Sequence, residues 1–146
     1  MPSTLLVVHS LFRWLVLAVA LYAVLRMVIG LATARAWAEE DRKAGVFFTI
    51  AMDVQLLLGV VLFAVSPLIR QGMSDVSGAM KDSSVRFFLA EHPVFMVLAV
   101  VLAHVGSVVA RRGPTDRVKF VRGAVGYSLA FALLLAGIPW WRLRAA

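Results

Sequence analysis

The sequence predicts an all-α fold, a four-helix transmembrane bundle with both termini on the same side. Three observations lead there. Four apolar runs each approach the ~20 residues that cross a ~30 Å hydrocarbon core. Of the 146 residues, 62% are apolar and 16% charged, with a mean hydropathy of +0.89, against about 45–50% and about 25% in a soluble domain. The links between runs are short, polar and furnished with helix-stop residues. They leave no room for a second domain, so residues 1–146 read as one transmembrane domain with spans at about 5–31, 44–66, 86–110 and 121–141.

The first run begins after Pro2-Ser3-Thr4, a helix start, and extends from Leu5 to Leu31. Ala32-Thr33-Ala34 has the form of a signal-peptidase site. However, the run lacks a positive n-region, carries Arg13 and exceeds a signal peptide's 7–15 apolar residues, so a retained helix is expected. A polar link from Arg35 to Lys43 leads to the second span, which closes at Ser66-Pro67 because proline disfavours helix in the residue before it. The connection from Leu68 to Ser84 is the longest. Met73, Val76 and Met80 fall three and four apart in it, a spacing that fits a short interfacial helix or an ordered capping loop equally well. Ser83-Ser84 can cap the third span, Arg111-Arg112-Gly113-Pro114 stop it, and Thr115 offers an N-cap for the fourth.

Net charge is +7, yet the basic residues sit at the ends of apolar runs rather than in a stripe. A nucleic-acid partner is thereby excluded, and the basic residues are topology signals and lipid-headgroup partners. The side with both short links holds eight lysines and arginines and the other side five. That excess puts the short links in the cytoplasm and both termini outside, in the periplasm of a bacterium. Absence of cysteine rules out disulfides, iron–sulfur clusters and thiolate metal sites.

Depth, at 1.5 Å per residue, organises the polar groups inside the spans. His9 and His92 each lie four residues into a span, and the first and third spans enter from the same side. Two imidazoles at one level on parallel helices are what bis-histidine ligation of one haem iron requires. Pro93 kinks the third helix beside His92. Against ligation stands a plain polar cluster, in which membrane histidines bond neighbouring helices. Arg13, one turn below His9, is expected to pair with Asp53 of the second span, since either charge alone is costly at that depth. Its other reading is as a partner for a haem propionate or a quinone oxygen. His104, twelve residues beyond His92, has Tyr127 and Asp53 as candidate partners, and with three histidines one bis-histidine haem is the limit. Met96, at i+4 from His92, is the one methionine placed as a possible ligand. Gly59, Gly123, Gly126 and Gly137 serve close helix approach or make room for a cofactor. No zinc-protease helix, P-loop, nucleophile elbow or dinucleotide fingerprint is present.

His9-Ser10-x-x-Arg13-Trp14, Gln55-Leu56-Leu57-x-Gly59, Arg86-Phe87-Phe88 with Glu91-His92, and Ile138-Pro139-Trp140 together resemble a family of small bacterial four-helix membrane proteins labelled cytochrome b-like. The resemblance implies a haem b protein of the bacterial inner (cytoplasmic) membrane, with His9 and His92 as metal ligands. It points to a non-catalytic electron carrier, working with quinone or a larger respiratory or photosynthetic complex. Two other readings stand beside it. One is a cofactor-free accessory subunit with Arg13, Asp53, His104 and Tyr127 as buried polar structure. The other is a small transporter or proton path through Arg13, Asp53 and His104.

Overall fold

The computed structural model describes residues 4–144. Four long helices, each apolar and long enough to cross a membrane, make up most of it: α1 (Thr4–Ala32), α2 (Glu39–Val65), α5 (Ser83–Arg111) and α6 (Asp116–Ala136). Two short helices, α3 (Pro67–Ser74) and α4 (Val76–Lys81), bridge α2 to α5, and α7 (Trp140–Arg144) follows α6. This is a small helical membrane protein. Around the bundle α1 packs on α2 and α6, and α5 on the same two, so α1 and α5 face each other across the diagonal.

Small residues let the helices approach closely. Ala20 and Ala23 of α1, Ala99 and Ala103 of α5 and Ala130 of α6 are fully buried. Where α5 crosses α6, Gly106 lies against Gly126, and a Cβ on Gly106 would stand 3.0 Å from the Cα of Gly126. Phe48 and Tyr127 fill the centre, edge to face at 5.7 Å.

The helix ends depart from the sequence expectation where side chains, not hydropathy, decide them. α2 begins at Glu39 rather than Ala44, because Glu39, Glu40 and Asp41 form an acidic first turn that suits a helix N-terminus. Ahead of it the chain turns at Ala34, which adopts a left-handed φ of 49°. The 68–84 connection is helical, but its register is not that of Met73 and Val76, which are exposed; Ile69, Gly72 and Ala79 are buried instead. Ser66 and Asp75 cap α3 and α4 by accepting from the Ile69 and Gly78 amides. Thr115 caps α6 through Val118 as expected, but α6 ends at Ala136, short of Trp141, since Gly137 and Pro139 follow.

At Pro93 the helix answers the missing amide with a π turn over Phe87–Glu91, in which the His92 amide donates to the Phe87 carbonyl. The proline ring would crowd the carbonyl four residues earlier, and widening the turn by one residue relieves that clash. Arg86 spans the turn with a 2.8 Å bond to Glu91.

Candidate functional site: the histidine pair and its cleft

α1 and α5 bring His9 and His92 together across the bundle, ring centroids 6.3 Å apart and planes at 77°. Each ring is held by what surrounds it. The Nδ1–H of His92 donates to the carbonyl of Gly137 at 2.6 Å, because a carbonyl can only accept. In the neutral ring that fixes the tautomer and leaves Nε2 without a hydrogen. Phe87 and Phe88 pack on the same ring at 5.9 and 6.3 Å. Trp141 stacks behind them on Phe87, and Arg142 lies over Phe88. His9 lies against Gly59 of α2, where a Cβ would come within 3.3 Å of its Cε1. Its own carbonyl accepts from Gln55 Nε2 at 3.1 Å.

Beside the pair runs a cleft between α2 and α5 holding about 740 Å³ of empty space, its open mouth included. Leu56, Val60 and Phe63 line one wall and Met96, Val97 and Val100 the other, and His9, Gln55 and His92 border it as well. Among the described residues, three polar atoms buried in this region lack a hydrogen-bond partner: His9 Nδ1, Arg13 Nε and Gln55 Oε1. Native interiors leave few such groups.

The expected Arg13–Asp53 pair does not form. Residues 53 and 55 point ~200° apart on a helix, and Gln55 is the one facing α1. Asp53 therefore faces α5, where its Oδ1 meets His104 Nε2 at 2.8 Å. Arg13 makes no ion pair among the described residues; its guanidinium lies over Trp14 at 5.4 Å. Equal depth was a necessary condition for the pair, but azimuth decided against it. Of the two candidate partners for His104, Asp53 is the real one. Tyr127 is buried and its hydroxyl bonds Ser107, in space that Gly45 leaves open.

Sequence reasoning missed the cluster that ties α1 to α2. Asp41 is fully buried and accepts from Arg26 Nε, from both terminal nitrogens of Arg35 and from the Ala38 amide. The signal was there: an acidic residue at the third position of a helix commonly reaches back to the amide before it. Hydrogen bonding to Asp41 raises the Arg35 pKa above its ordinary value. Among the described residues no group of three or more histidines and carboxylates is gathered that could hold a metal ion.

No family model matches the chain, and no curated protein or solved structure does either.

Proposed function

We propose that the protein is an integral membrane electron carrier that binds one haem b through His9 and His92. The observation that carries this reading is the convergence of the two imidazoles from diagonal helices. Two imidazoles on opposite sides of one metal, each with a nitrogen ~2.0–2.1 Å from it, have ring centres about 6 Å apart. The separation here is 6.3 Å. A bis-histidine haem needs two protein ligands and no third, so the absence of a larger ligand cluster among the described residues is compatible with it. The free Nε2 of His92, the unpartnered Nδ1 of His9 and the apolar cleft beside them suit two residues that would hold an apolar cofactor through its iron.

Bound there, haem b would supply a one-electron ferric–ferrous couple. The chain's own residues do the rest. Gly137 holds the His92 ring in orientation and, by accepting its Nδ1–H, makes Nε2 a stronger donor. Leu56, Met96 and Val100 keep water from the inner cleft, and exclusion of water is one of the protein's means of setting a potential. Arg13, one turn from His9, offers a positive charge to a carboxylate or quinone oxygen. Electrons would pass to quinone or to a larger membrane complex.

The test is a reduced-minus-oxidised visible spectrum of the purified protein. A sharp haem b absorbance is expected, lost in both His9→Ala and His92→Ala. A well-folded preparation, made with haem available and showing no absorbance, rejects the proposal. In that case an accessory role predicts that His9→Ala impairs assembly of a larger complex instead.

A further inference from the structure

The Asp53–His104 couple takes no part in the histidine site, although it too bridges α2 and α5. Its side chains are 49% and 45% exposed, and Asp53 sits at the middle of the 27-residue α2. Polar residues at such depth almost always face protein or a water-filled cavity rather than lipid. Something should therefore cover them.

The couple itself says what. One edge is used, with Asp53 Oδ1 on His104 Nε2. The outward edge, Asp53 Oδ2 and His104 Nδ1, has no hydrogen-bond partner among the described residues. When both ring nitrogens carry hydrogen and the carboxylate is ionised, the couple is net neutral and its outer edge presents one donor beside one acceptor. Rotated by a two-fold axis, that edge meets its own complement, with each Nδ1–H on the other copy's Oδ2. Two-fold contacts use the same patch on both subunits and require this kind of self-complementarity. A foreign helix would have to bring a donor and an acceptor at the same spacing, whereas a second copy already has them. Ile50 and Leu57 on α2 and Val101 and Val105 on α5 are all exposed around the couple and supply apolar surface for packing.

We propose that this α2–α5 face is a homodimer interface within the membrane, in which Asp53 and His104 of each copy hydrogen-bond the same residues of the other. The chain has no cysteine, so a single introduced thiol reports only its own position. In phosphatidylcholine vesicles, Leu57→Cys and Val101→Cys should form disulfide-linked dimers under mild oxidation. Val125→Cys, exposed on α6, should not. Replacing the couple, Asp53→Leu with His104→Leu, removes two interhelical hydrogen bonds and should weaken dimerisation by about tenfold. Subunit counting by photobleaching of the otherwise unaltered protein should give two, and this result does not depend on any variant folding. A count of one at every protein-to-lipid ratio overturns the proposal. So do equal cross-linking at Val125→Cys, undiminished dimer in the double variant, or a different membrane protein found on this face in place of the second copy.

Discussion

Replacing Asp41 with Asn should unfasten α1 from α2 at one end of the bundle. The substitution conserves size, so its effect isolates charge and hydrogen bonding. Asp41 oxygens take four bonds of 2.7–2.9 Å, three from guanidinium groups and one from the Ala38 amide. Asparagine keeps one acceptor oxygen and turns an NH2 group toward donors. About two charge-assisted bonds are lost, each worth about 1.5–3 kcal/mol. Arg26 and Arg35 are 26% and 31% exposed and recover part of that by reaching water or lipid phosphate. The net destabilisation should be about 2–4 kcal/mol, at or just below the range for stripping a buried ion pair of one member. Reversible unfolding in mixed micelles with increasing dodecyl sulfate, followed by far-ultraviolet circular dichroism, measures it. Because the carboxylate is fully buried, the loss should change little with added salt. A loss below about 1 kcal/mol would refute the idea that this cluster joins the two helices, since it would then resemble an ordinary surface pair.

Two further outcomes follow from the turns. Ala34→Gly should stabilise the protein by up to about 1 kcal/mol in the same unfolding experiment, because the left-handed φ of 49° strains an alanine and not a glycine; a destabilised variant would contradict the strain. Asp82 accepts from the Val85 and Ser84 amides and the Ser84 hydroxyl at the start of α5, and these bonds hold its pKa below the usual carboxylate value. A depressed folded pKa means the contribution is present above the unfolded value near ~3.9 and is lost as pH falls through the folded one. Hydrogen exchange at Ser84 and Val85, corrected for intrinsic rates, should therefore rise only in strong acid, and Asp82→Ala should abolish that dependence.

Hydropathy made the four helices legible, because a bilayer demands one thing of every span and the sequence states it openly. It also put His9 and His92 at one level, since depth is linear in residue number along a helix. It misplaced Asp53, because a partner depends on rotation about the helix axis and a single charged residue carries no record of which neighbour lies on its side. Gln55 held that information: only one of residues 53 and 55 can face α1, and the shape of the packed bundle chose. The Arg26–Asp41–Arg35 cluster escaped notice for a different reason. Arg35 and Asp41 lie in a segment that reads as a polar link, where charge normally means solvent, and Arg26 lies inside the first span, so the cluster's burial arises only once α1 and α2 have closed on each other.

The widened turn before His92 has a consequence for how this protein can vary. In ordinary helix geometry, a residue five places earlier points well away from its successor. Here Phe87 and Phe88 both rest on the imidazole, giving it a two-ring wall. Shortening the chain by one residue between Phe88 and Glu91 would return the coil to normal pitch with Phe87 four places before the histidine and Arg86 four before Glu91, so both contacts would survive, while the Pro93 ring would again crowd the carbonyl four residues before it. The extra residue thus belongs to the proline rather than to the aromatic wall: once Pro93 is exchanged for a residue with an amide hydrogen, the segment should tolerate losing it.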